Sequence, residues 1–255
     1  MFEGSIPAIV TPFTDQGELD LSAVDRLVDF HLENGSDGLV VAGTTGESAT
    51  LNREEYRTLL GRVIARLNGR LPVMAGTGSA STAATIELTT VAAGLGADAA
   101  LVVTPYYNCP PQAGLAAHFS AVADEAAIPI VLYNVPSRTG VDLLPATVAG
   151  LCSHPSIPGI KEAVADVTRI DDLMDCCDSG FTVYAGNDNL CLSAMKQGAR
   201  GVISVAANVA PGAMQELCRA ALAQDWPIAE ELDTKLQPLF DVLMIETNPI
   251  PVKWS

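Results

Sequence analysis

The sequence predicts an α/β fold: a closed (β/α)8 barrel of the TIM type followed by a short helical extension. Three observations lead there. The 255 residues fill one such barrel and leave no room for a second large domain. Eight short apolar runs alternate with eight longer amphipathic stretches, the pattern of parallel βαβ units. Most of the short runs are apolar throughout, as strands buried on both faces are.

The elements follow in order. A first strand is expected over residues 6–13; Asp20 then caps a helix over 21–34 that ends before Gly35. A second strand over 38–43 leads to a helix over 53–67, where Asn52 and Glu55 have capping-box spacing. Strands three to five are expected over 72–76, 99–105 and 129–134, followed by helices near 81–93, 112–126 and 145–152. The last three strands are expected over 159–162, 182–186 and 201–205, followed by helices near 167–177, 189–197 and 211–223. Residues 227–245 read as one additional helix, broken by Asn248-Pro249-Ile250-Pro251. The division is therefore 1–224 for a catalytic barrel and 225–255 for the extension. No low-complexity linker separates the two, and the units repeat in architecture, not in sequence.

Composition narrows the function classes. Lys and Arg number 14 against 30 Asp and Glu, a formal charge of −16, so a nucleic acid or an anionic membrane would be repelled. No apolar run is long enough to cross a bilayer, and no export signal is read at the N-terminus. Six cysteines at 109, 152, 176, 177, 191 and 218 form no C-x-x-C pair and suggest no zinc site. They read as reduced thiols in a cytoplasmic protein. His31, His118 and His154 lie far apart and read as surface or packing residues.

In a barrel of this kind the chemistry sits at the C-terminal strand ends. After the second strand comes Gly43-Thr44-Thr45-Gly46-Glu47, where small residues let exposed amides approach a carboxylate; the same residues also suit an ordinary turn. The fourth strand ends in Thr104-Pro105-Tyr106-Tyr107-Asn108, the fifth in Tyr133-Asn134-Val135-Pro136-Ser137-Arg138-Thr139-Gly140. A phenol beside a cation suits acid–base work, while a tyrosine capping the core and a surface arginine are the plainer alternatives. The sixth strand ends in Gly159-Ile160-Lys161-Glu162. Of the four lysines, 161, 196, 235 and 253, only Lys161 interrupts an apolar strand. An ammonium there loses hydration, which favours the neutral amine, a nucleophile that forms a Schiff base with a carbonyl. Glu162 is a poor ion-pair partner for it, because neighbours on a strand point to opposite faces.

These three strand-end motifs, in this order, resemble the signatures of the dihydrodipicolinate synthase family of pyruvate-dependent class I aldolases. The resemblance runs from Ile6 to the last residues, including Asn248-Pro249-Ile250-Pro251-Val252-Lys253-Trp254. The Thr44-Thr45 pair and Arg138 match the synthase branch rather than the sialic-acid lyases. The resemblance implies that Lys161 forms the pyruvate imine and that Tyr133 moves protons. Thr44 and Tyr107 would complete a relay, with Tyr107 supplied by a neighbouring subunit. Thr45 would bind the pyruvate carboxylate and Arg138 the carboxylate of aspartate 4-semialdehyde. Gly186 and Ile203 match positions lining the pyruvate pocket. It implies no metal or organic cofactor, because the lysine imine is the electron sink. It implies a homo-oligomer, at least a dimer and commonly a tetramer.

Two departures from the family accompany the match. Positions that hold inhibitory L-lysine in sensitive relatives correspond to Ser48, Ala49, Arg53, Tyr56, Ala80, Ala84 and Tyr106. Ala80 and Ala84 lack the amide and carboxylate of those relatives, so inhibition is expected to be weak or absent. The family also continues through further helices, so the extension is expected to be incomplete relative to it. Two other readings are compatible with the motifs: a related aldolase acting on sugar-acid aldehydes, and a non-catalytic paralogue serving as an assembly subunit.

Overall fold

The computed structural model describes residues 2–255. Strands β1 (Gly4–Pro7), β2 (Leu39–Val41), β3 (Val73–Gly76) and β4 (Ala99–Val103) alternate with helices α1 (Leu21–Glu33), α2 (Arg53–Leu67) and α3 (Thr82–Leu95). After α4 (Gln112–Glu125) come β5 (Ile130–Asn134), the short helix α5 (Pro136–Thr139) and α6 (Pro145–Leu151). Then follow β6 (Gly159–Glu162), α7 (Thr168–Cys176), β7 (Thr182–Ala185), α8 (Cys191–Lys196), β8 (Gly201–Ser204) and α9 (Pro211–Leu222). Helices α10 (Trp226–Leu243) and α11 (Ile250–Trp254) end the chain.

All neighbouring strands pair in parallel, in the order β1-β8-β7-β6-β5-β4-β3-β2. An Ala8–Val40 bridge, with the Ile9 amide on the Val40 carbonyl at 3.0 Å, joins β1 to β2 and closes the barrel. Ile6, Val40, Met74, Leu101, Tyr133 and Ile203 belong to the packed interior. The outward faces pack against the helices in two further clusters. The expected capping box at α2 is formed: Asn52 Oδ1 accepts from the Glu54 and Glu55 amides, and Glu55 accepts from the Asn52 amide.

The expected first two strands are too long. Pairing of β1 ends with the Ala8 bridge: the Val10 amide goes to Asn208 Oδ1 at 3.0 Å, and Phe13 bridges Leu19 instead of extending β1. Strand β2 stops at Val41 because Ala42 adopts φ +53°, turning the chain toward Gly43-Thr44-Thr45. Helix α10 starts at Trp226 and ends at Leu243; its Ala229, Leu236, Phe240 and Leu243 join the same outer core as α9. None of the helices among the described residues is long and apolar enough to cross a membrane.

Candidate active site

Tyr133 and Lys161 are register partners on β5 and β6, as are Asn134 and Glu162 one residue on. Side-chain alternation sends the first pair into the barrel and the second toward the helices. Lys161 is only 5% exposed and lines a cavity of about 740 Å3 at the strand ends. Its Nζ lies over the Tyr133 ring, 4.4 Å from the centroid. Lys196 pairs with Glu230, Lys235 with Glu231 and Lys253 with Glu47. Among the described residues Lys161 has no carboxylate partner. That leaves its amine to the cavity, as the strand position implied.

The outward pair forms a brace behind this contact. Asn134 Nδ2 reaches both carboxylate oxygens of Glu162 (3.1 and 3.0 Å) and Asp142 Oδ1 (2.7 Å). Asn134 Oδ1 accepts from the Leu143 amide, and Glu162 Oε1 from the Val164 amide. Arg169 grips both oxygens of Asp142, at 3.0 and 2.8 Å. Burial pushes the Glu162 carboxyl up to about 7, against the pull of Asn134, Val164 and Arg169. Asp142, held by Arg169, goes the other way. The brace ties β5, β6, α7 and the loop before α6 together immediately behind Tyr133 and Lys161.

Thr44, Thr45, Arg138 and Gly186 also line the cavity. Arg138 rides on α5, a single turn with Pro136 at its start and Gly140 in the left-handed region at its end. Gly186 is required by space: a Cβ there would stand 2.6 Å from Ala163 Cβ and 2.8 Å from the Glu162 carbonyl. Ile203 is fully buried in the barrel interior, in the same packed layer as Tyr133. Tyr107 is 96% exposed and lies outside the cavity of its own chain. Its φ of +71° is unusual for a bulky residue and costs about 1–3 kcal/mol, so the surrounding loop must hold it in place. Among the described residues of this single chain, the Tyr133 hydroxyl bonds neither to Thr44 nor to Tyr107.

Several cavity residues were not anticipated. Phe240 and Leu243 of α10, with Glu246 and Asn248 beyond it, make one wall. Asn248 donates from Nδ2 to Thr45 Oγ1 at 3.0 Å, and its carbonyl accepts from Arg138 at 2.7 Å. Asp188 also borders the cavity; its Oδ2 accepts from the Val205 and Ala206 amides, and burial pushes its carboxyl up. Only the proximity of Asp188 to the end of β7 is a local signal; the C-terminal wall has none.

The chain matches the Dihydrodipicolinate synthetase family over residues 1–255. It is 50% identical to the 4-hydroxy-tetrahydrodipicolinate synthase of Methylococcus capsulatus over 255 residues, all of this chain and 88% of the relative. Identity to the enzyme of the same name from Stutzerimonas stutzeri is also 50%, covering all of this chain and 87% of that one. Among solved structures, the dihydrodipicolinate synthase from Acinetobacter baumannii complexed with pyruvate superposes with a TM-score of 0.98 at 47% identity. That match covers 100% of this chain and 87% of the other. The synthase from Aquifex aeolicus gives a TM-score of 0.97 at 47% identity, with 99% and 86% covered. With the whole length matched and half its residues identical, the chain belongs to the dihydrodipicolinate synthetase family.

Proposed function

We propose that this chain is a 4-hydroxy-tetrahydrodipicolinate synthase, a lyase that condenses pyruvate with L-aspartate 4-semialdehyde in lysine and diaminopimelate biosynthesis. The observation that carries the reading is Lys161: a buried amine with no carboxylate at ion-pair distance among the described residues, seated against a tyrosine at the strand ends. The amine adds to the pyruvate ketone and water leaves, giving a protonated imine. That cation draws electrons from the methyl C–H bond, so a proton departs and an enamine forms. The enamine carbon attacks the aldehyde carbon, and the aldehyde oxygen takes up a proton. The substrate's own amine then attacks the imine carbon, closes the ring and releases Lys161.

In this reading Tyr133 carries protons to and from these atoms, with Thr44 and a partner subunit's copy of Tyr107 as the relay. The outward position of Tyr107 supports an assembly of at least two subunits. Thr45 holds the pyruvate carboxylate, and Arg138 that of the semialdehyde. A fixed cation at the mouth offsets the repulsion of an anion by a chain of charge −16. Gly186 keeps the pyruvate end open, and Ile203 supports it from below. Residues 1–224 form the catalytic barrel and 225–255 an extension that contributes the wall at Glu246 and Asn248. Six unpaired thiols suit the reducing cytoplasm.

Turnover with three aldehydes tests the substrate. Condensation of pyruvate with aspartate 4-semialdehyde is expected, at least a hundredfold faster than with N-acetylmannosamine or glyceraldehyde. A preference for either sugar aldehyde would assign the chain to a different aldolase reaction.

A further inference from the structure

Asn248 touches two residues of the proposed site through two different groups. Its side-chain amide donates to the Thr45 hydroxyl, and its main-chain carbonyl accepts from the Arg138 guanidinium. It lies between α10 and α11, 203 residues from Thr45 in sequence. The segment that carries it is held on its far side by Lys253, which pairs with Glu47 and donates to the Thr11 carbonyl at 3.0 Å. Glu47 lies two residues beyond Thr45, so the C-terminal segment and the Thr44-Thr45 turn are tied at two points.

A threonine hydroxyl has one proton and two lone pairs. Thr45 is 2% exposed, so its hydroxyl has few partners to choose from. An amide N–H occupying one lone pair leaves the second lone pair and the proton, and of these only the proton can meet a carboxylate. Both Thr45 and Asn248 line the cavity that holds Lys161. A hydroxyl preset in this way donates to an acceptor in the cavity, and a carboxylate is the strongest acceptor a 2-oxo acid offers.

We propose that Asn248 is a positioning residue that fixes the Thr45 hydroxyl as a donor to the 2-oxo acid carboxylate, making keto-acid selection depend on the C-terminal segment. This rests on the synthase reading above. The role belongs to the side chain; the carbonyl bond to Arg138 is independent of it. Asn248→Ala therefore leaves the arginine contact in place and removes only the threonine contact. Asn248→Asp goes further, because a carboxylate accepts from the Thr45 hydroxyl and turns its proton away from the ligand.

The test is borohydride trapping of the full-length chain at increasing ketone concentration, with pyruvate and with hydroxyacetone, which has no carboxylate. For Asn248→Ala the half-saturating pyruvate concentration is expected to rise about tenfold, the scale of one hydrogen bond to a charged group. For Asn248→Asp the rise is larger, and trapping of hydroxyacetone is unchanged in both. Adding Asn248→Ala to Thr45→Val should cause no further loss of pyruvate binding, because the two act through one hydroxyl. Asn248→Ser substitutes for Asn248→Ala if the latter fails to fold. Unchanged pyruvate half-saturation, equal losses with both ketones, or additive effects with Thr45→Val would overturn the proposal while leaving the synthase reading intact. No trapping of pyruvate by the wild-type chain would overturn both.

Discussion

The Lys161 amine sits 4.4 Å from the centroid of the Tyr133 ring, and the two residues are direct partners across β5 and β6. The strand pairing sets their spacing, so neither side chain has to find the other. The phenol is thereby held beside the atom where the imine would form.

Tyr133→Phe keeps the ring and removes the hydroxyl. Turnover is expected to fall about 10²–10³-fold, the usual scale for a positioned acid–base group. Thermal stability should change little, since the ring still packs in the interior. Steady-state kinetics on the purified variant check this; kcat within threefold of wild type would remove Tyr133 from the proton path.

Glu162 gives the stability a pH dependence. Its carboxyl titrates near 4.5 unfolded and about 7 folded, so the folded state binds the proton more tightly between those values. Stability from this group is greatest below about pH 4.5, falls as pH rises to 7, and is flat above. The loss is on the order of 3 kcal/mol. Asp142 has the opposite sign, and its contribution is lost only as pH falls through its lowered pKa. In Glu162→Gln the decline between pH 4.5 and 7 should vanish, so the variant gains on wild type as pH rises. Urea melts at several pH values measure the gap; a gap that stays constant or shrinks contradicts the assignment.

Gly186→Ala places a methyl group against Ala163 and the Glu162 carbonyl, where the paired strands β6 and β7 end side by side. Backbone must move, at a cost of about 1–3 kcal/mol. A lowered melting midpoint and a raised pyruvate KM are expected together. Unchanged values of both would mean that the packing at these strand ends is looser than its contacts indicate.

Feedback by L-lysine should be weak. Ala84 lines a small cleft with Ser48, Arg53 and Tyr56, and supplies no carboxylate for an ammonium. A missing charge-assisted hydrogen bond costs about 1.5–3 kcal/mol of binding. Titrating lysine into the condensation assay should give half-inhibition at millimolar concentration or above; half-inhibition well below millimolar contradicts this.

Much of the site was legible because it obeys local rules. Lys161 stood out as a charge inside an apolar strand, and its pairing with Tyr133 follows from both lying at adjacent strand ends. The capping box of α2 was readable because its two residues are three apart. Asn248 left no such trace, since its partners are 203 and 110 residues away. The brace of Asn134, Glu162, Asp142 and Arg169 also depends on tertiary placement; each residue alone reads as an ordinary polar side chain. The expected strands 1 and 2 ran long because apolar content continues past Ala8, after which the Val10 amide goes to the Asn208 side chain, and past Val41, where the left-handed Ala42 turns the chain.

Borohydride reduction in the presence of pyruvate tests the central claim most directly. Mass spectrometry of the digested wild-type chain should find one pyruvate-derived adduct, on the peptide carrying Lys161, and none in Lys161→Ala. An adduct on another lysine, or no adduct in wild type, would contradict the assignment of Lys161 as the Schiff-base amine.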